Sequence, residues 1–149
     1  MPTVYLDACC LNRPYNDQTQ ARIRLEAEAV LLILQSVTDG STRWVGSTVL
    51  EYEIDQTADP ERRRRLRRMT AAVSSRVKVE EKDIVRGEAL EAVGFTDFDA
   101  LHLACAEKAK VDVFLTTDDR LLKRAKRLAS QLHVRVENPA TWIAERREP

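Results

Sequence analysis

Gly94-Phe95-Thr96-Asp97-Phe98-Asp99-Ala100-Leu101-His102-Leu103-Ala104, followed shortly by Val113-Phe114-Leu115-Thr116-Thr117-Asp118-Asp119, is the stretch that decides the fold. Gly94 stops the helical pattern that precedes it. Phe98 to Ala109 then reads as a helix, with Leu101, Ala104, Cys105 and Ala109 on its inner face. Val113-Phe114-Leu115 is a continuous apolar run, the signature of a strand buried on both faces. Asp119 to Leu128 is helical again. A helix, a fully buried strand and another helix predict an α/β domain with a mainly parallel sheet.

The same alternation extends outward. Thr3 to Leu6 is a short β-rich run closed by Asp7, and Asn12, Arg13 and Pro14 mark a loop. Asp17 to about Thr38 is helical, with apolar residues on two sides of the helix. Thr42 to Gly46 is a second strand, after which Ser47 or Thr48 caps a helix through Glu51, Tyr52 and Ile54. Asp59-Pro60-Glu61 opens the next helix, with proline at its first position. Val77 to Val79 is a third strand by alternation. Asp83 to about Val93 is helical, Val134 to Val136 is a last strand, and Pro139 to about Arg146 is a terminal helix.

The 149 residues suit one domain, 1–149, with a sizeable core. Lys+Arg and Asp+Glu are 24 each, so bulk charge selects neither nucleic acid nor membrane, and only local patches carry such an argument. Aromatic residues are 5 %, which argues against a platform on which bases stack. Three cysteines, two of them adjacent (Cys9 and Cys10), form no disulfide framework and point to a reducing cytoplasm. The apolar run near Ala29 to Leu34 is too short to span a bilayer.

In parallel α/β sheets, sites form beyond the carboxyl ends of the strands. That rule selects four acids. Asp7 ends the first strand, Glu51 lies early in the helix after the second, and Asp118 follows Val113 to Thr117. Asp99 opens the helix whose exit strand carries Asp118. Clustered carboxylates repel, so a cation among them is expected. Hard oxygen ligands favour Mg²⁺ or Mn²⁺, which can activate water and stabilise the leaving oxygen in phosphodiester hydrolysis. Singly, Asp99 and Asp118 read as helix-start acids and Glu51 as a solvated one. Asp7 has no turn role of that kind. Glu53 and Asp119 stand as alternatives to Glu51 and Asp118, and register against the neighbouring apolar residues favours the first-named of each pair.

Val4-Tyr5-Leu6-Asp7, Ser47-Thr48-Val49-Leu50-Glu51, Asp97 through Ala104 and Phe114-Leu115-Thr116-Thr117-Asp118 together resemble PIN-domain ribonucleases. The chain resembles in particular the VapC-like toxins of toxin–antitoxin pairs. The resemblance implies a three-layer α/β/α fold with a central, mainly parallel sheet. It also implies an endoribonuclease using one or two Mg²⁺ or Mn²⁺, an acidic quartet on Asp7, Glu51, Asp99 and Asp118, and a hydroxyl residue at Thr116. An RNA substrate, a homodimer and a small cognate antitoxin protein follow from the same likeness. Many members place Thr or Ser and then Asn after the first acid. Here Ala8 and Cys9 stand there, and Asn12 is the candidate for the missing contact. Asp97 is an additional acid of accessory rank.

Two other readings compete. One is a PIN-like module kept for RNA or protein binding without catalysis. The other is a phosphatase or phosphoryl-acceptor domain using Asp7, which lacks the second acid such enzymes place two residues on. The arginines from Arg62 to Arg68 fit RNA phosphates, an acidic antitoxin segment or a plain solvated face. His102 is expected to pack or hydrogen-bond within its helix, and Tyr5 and Trp44 to pack in the core.

Overall fold

A computed structural model of the chain describes residues 1–147. The apolar runs pair into one sheet of five strands: β1 (Thr3–Leu6), β2 (Arg43–Ser47), β3 (Ser75–Val77), β4 (Val113–Leu115) and β5 (Val136–Glu137). Their spatial order is β3-β2-β1-β4-β5 and every pairing is parallel. Among the described residues eight α-helices connect and cover them: α1 (Ala8–Asn12), α2 (Ala21–Thr38), α3 (Thr48–Asp55), α4 (Pro60–Thr70), α5 (Glu81–Ala92), α6 (Asp97–Lys108), α7 (Asp119–Arg127) and α8 (Pro139–Arg147).

The strand pleat sorts the core into two layers. Val4 and Leu6 of β1, with Val113 and Leu115 of β4, pack against Ile33 of α2, Leu66 of α4 and Trp142 of α8. Tyr5 and Phe114 point the other way, onto Leu90 of α5, Leu103 of α6 and Leu121 of α7. The result is the expected three-layer α/β/α arrangement. Helix α3 straddles the end of the sheet, since Leu50 and Ile54 join the first layer and Val49 the second. β1 lies between β2 and β4, so the chain leaves it in one direction and returns on its other side. That reversal opens a crevice at the carboxyl ends of the central strands.

Several boundaries differ from the sequence reading. The expected loop after Asp7 is instead helix α1 followed by a 3-10 turn, Arg13–Tyr15. Asp17 does not begin α2; its carboxylate accepts the Thr19 N–H and O–H in a turn, and the helix starts at Ala21. Helix α2 is covered on one side only, leaving Leu25, Leu31 and Leu32 in solvent. β3 is Ser75–Val77 and not Val77–Val79, because Ser75, Arg76 and Val77 register with Val45, Gly46 and Ser47. The Val79 N–H is taken instead by Thr48 Oγ1. Glu80 and Asp83 form a reciprocal capping box, so α5 begins at Glu81.

Gly94 has φ of 123°, a region open to glycine alone. It turns the chain out of α5 into Thr96, whose hydroxyl accepts the Asp99 N–H and caps α6. The two helices then pack closely, with Gly87 leaving room for Leu101.

Candidate active site

Asp7 is the centre of the site. It is 6 % exposed and caps α1 by accepting the Ala8 N–H at 2.8 Å. Its other oxygen accepts from Thr116 Oγ1 at 2.9 Å and from the Cys9 thiol at 3.4 Å. Thr116 also accepts the Asp118 N–H at 3.1 Å, which ties the end of β4 to the end of β1. All these donors to Asp7 are neutral. Burial, with the Glu53 charge added to it, pushes the Asp7 carboxyl up from the ordinary range, against the pull of His102, Thr116 and Cys9.

Glu53, and not Glu51, faces Asp7. Carboxylate oxygens of Asp7 and Glu53 and a ring nitrogen of His102 lie within 4.8 Å of one another. Glu51 instead forms an ion pair with Arg76 of β3. Residues two positions apart on a helix are turned about 200° from each other, so Glu51 and Glu53 cannot both serve one point. Val49, Leu50 and Ile54 are the buried residues of α3, and Glu53 falls between Val49 and Leu50 on the helical wheel. Glu51 falls outside that arc. The sequence contained this signal, since Glu53 is four residues after Val49 and three after Leu50.

His102 is fully buried, and its partners lie outside its own helix, contrary to the sequence expectation. Nε2 is 3.3 Å from Glu53 Oε1, and Nδ1 is 2.5 Å from the Tyr5 hydroxyl, which also bonds Ser47 Oγ at 2.6 Å. Tyr5, read from sequence as a packing residue, is thus the link that orients His102 toward Glu53. Burial alone would lower the imidazole pKa, but Glu53, Asp7 and Asp99 outweigh it and the net shift is upward.

Asp99 lies half-buried in the first turn of α6. Its carboxyl is raised to about 6, chiefly by burial, then by the charges of Asp7 and Asp118, with Thr96 and His102 opposing. Asp118 caps α7 through the Arg120 and Leu121 N–H groups. Asp119 turns away and holds Arg22 in a two-point pair at 2.6 and 2.7 Å. Asp97 is exposed and, among the described residues, accepts only the adjacent Phe98 N–H. Asn12 donates to the Ala8 carbonyl at 3.1 Å and does not reach Asp7; Cys9 makes the contact assigned to it.

Ion pairing separates the two sets of acids. Glu51 is neutralised by Arg76 and Asp119 by Arg22. Among the described residues no Lys or Arg forms an ion pair with Asp7, Glu53, Asp99 or Asp118. A cluster of carboxylates whose one basic neighbour is the imidazole of His102 suits a hard divalent cation. With both ring nitrogens engaged, His102 is placed to orient Glu53.

The PIN domain family profile matches residues 4–128. No curated protein matches the chain. Among solved structures, FitAcB from Neisseria gonorrhoeae aligns at 15 % identity and a TM-score of 0.56, over 91 % of this chain and 97 % of that one. VapBC-1 from nontypeable Haemophilus influenzae aligns at 15 % identity and 0.57, over 92 % and 98 %. VapBC2 from Rickettsia felis, bound to a DNA fragment from their promoter, aligns at 13 % and 0.56, over 91 % and 98 %. These likenesses show a shared fold along nearly the whole length of each chain. With the profile match covering strands β1 to β4 and the clustered acids, the chain belongs to the PIN-domain family.

Proposed function

We propose that the chain is an endoribonuclease using Mg²⁺ or Mn²⁺ held by Asp7, Glu53, Asp99 and Asp118. One observation carries the reading: among the described residues the four acids at one rim of the sheet have no Lys or Arg partner, whereas their sequence neighbours Glu51 and Asp119 are each paired to an arginine. When bound, such a cation neutralises the cluster, offsets charge developing on the scissile phosphate and activates water. The chain's own groups fix the geometry. Ala8, Thr116 and Cys9 hold both oxygens of Asp7. Tyr5 and His102 hold Glu53. Asp99, pushed up to about 6, is placed to carry a proton before a cation arrives.

Capture of a polyanion by a chain of zero net charge has to be local. On α4, Arg65 pairs with Glu61 and Arg67 with Asp55, while Arg62 and Arg63 donate to the Tyr15 and Thr57 carbonyls. Arg64 and Arg68, one turn apart and exposed, have no acidic partner among the described residues and are available for RNA phosphates or an acidic antitoxin segment. The resemblance to VapC-like toxins extends the proposal to a cytoplasmic, homodimeric toxin with a small cognate antitoxin. Incubation of the purified chain with single-stranded RNA tests the core of it. Cleavage is expected with Mg²⁺ or Mn²⁺, none with EDTA, and none from Asp7→Asn. Intact RNA with both ions would refute the proposal.

A further inference from the structure

We propose that the seam between α3 and α6 is a nucleobase subsite in which Tyr52 and Phe98 stack one unpaired base of the RNA beside the cleaved bond. This rests on the nuclease reading above. Tyr52 immediately precedes Glu53, and Phe98 immediately precedes Asp99. Consecutive Cα atoms are about 3.8 Å apart, so each ring is anchored one residue from a proposed metal-binding carboxylate. The two rings come from different helices and stack on each other, centroids 6.0 Å apart with 22° between planes. They are nevertheless 56 % and 37 % exposed. The contact fixes their orientation and leaves outer aromatic surface to water, which is what a flat apolar ligand requires.

A cavity of about 350 Å³ opens beneath them, lined by Thr48, Val49, Tyr52, Asp97, Phe98 and Leu101. No cation lines it. Asp97 at its edge, with Asp99 one half-turn away, repels a phosphate, so the RNA backbone is excluded and the neutral base is admitted. Single-stranded RNA offers such bases, splayed out and free to stack on aromatic side chains. The low aromatic content excludes an extended platform, but it leaves this one pair, enough for one nucleotide, at the edge of the acidic site. Stacking accepts any base, so the subsite contributes affinity and position more than sequence readout.

Short single-stranded RNAs carrying 2-aminopurine at successive positions test the subsite in Ca²⁺, with cleavage followed separately in Mg²⁺. Stacking is expected to quench the probe at one position on the wild type. Tyr52→Leu and Phe98→Leu keep apolar bulk but remove the aromatic face. They are expected to lose that quench and bind roughly tenfold or more weakly, while Tyr52→Phe behaves as wild type. Unchanged quench and affinity in both leucine variants overturn the subsite, as does failure of the wild type to bind RNA. So does sedimentation showing that either leucine variant dissolves a dimer, which would make the seam a contact between copies of the chain. Wild type that binds with the position-specific quench but does not cut in Mg²⁺ supports the subsite and rejects the nuclease reading instead.

Discussion

Asp99 shows how one residue couples the site to pH. Burial and the charge of Asp7 act in the same direction, so its carboxyl lies at about 6 in the folded chain. An unfolded aspartate titrates near its ordinary value, so between about pH 4 and 6 the folded state holds a proton that the unfolded state has released. Stability of the metal-free protein therefore falls as pH rises through that window. Thermal melts in EDTA are expected to show this decline in wild type and a smaller one in Asp99→Asn, which cannot ionise. A divalent cation competes with the same proton, so Mn²⁺ affinity measured by calorimetry should weaken as pH drops below about 6. The placement of Asp7, Asp99 and Asp118 at the carboxyl rim of the sheet was legible from their positions relative to the strands. That Glu53 and not Glu51 faces Asp7 was not legible in the same way, because the strand-end rule locates a helix and leaves open which face of it meets the sheet. The helical wheel through Val49 and Leu50 picks Glu53. Tyr5 and His102 were not legible as site residues, since their roles depend on contacts with residues 42 to 97 positions away in the chain, whereas Cys9 reaches Asp7 two residues away only because α1 turns the chain there.

At the level of elements, the hairpin of α5 and α6 positions Asp99, and Gly94 sets its geometry. A Cβ at Gly94 would meet Arg124 atoms only at 3.8 Å, so space is not the constraint; the φ of 123° is. Gly94→Ala is therefore expected to destabilise the fold by about 1–3 kcal/mol through backbone strain. Urea unfolding checks this, and a neutral substitution would show that the turn relaxes without cost. The helix–strand–helix of α6, β4 and α7 was readable because β4 is buried on both faces and its sequence is uniformly apolar. The edge strand β3 was misplaced by two residues for the converse reason, and β5, expected at Val134 to Val136, is Val136–Glu137. β3 is largely exposed, so the Val77 and Val79 alternation does not report its pairing. α1 was missed because five residues are too few for a periodic pattern, and its cap is the site residue Asp7 itself.

Across the whole molecule, a second buried acid ties the layers together behind the site. Glu26 of α2, 2 % exposed, accepts from Arg13 Nε at 2.8 Å and from Asn138 Nδ2 at 2.5 Å. Arg22 joins it and extends to Asp119 and the Thr117 carbonyl, next to Asp118. Glu26→Ala leaves a buried arginine contact unpaired and is expected to cost about 3–5 kcal/mol, whereas the exposed Arg22–Asp119 pair contributes only about 0–1 kcal/mol. Denaturant unfolding of Glu26→Ala and Asp119→Ala separates the two. The same contrast between paired and unpaired acids underlies the reading of the molecule as a metal-dependent nuclease. Its most direct test is the rate of Mg²⁺-dependent RNA cleavage by Glu53→Gln set against Glu51→Gln. Loss of roughly a hundredfold or more in Glu53→Gln, with Glu51→Gln near wild type, is the expected result. Full activity in Glu53→Gln together with its loss in Glu51→Gln would contradict the account.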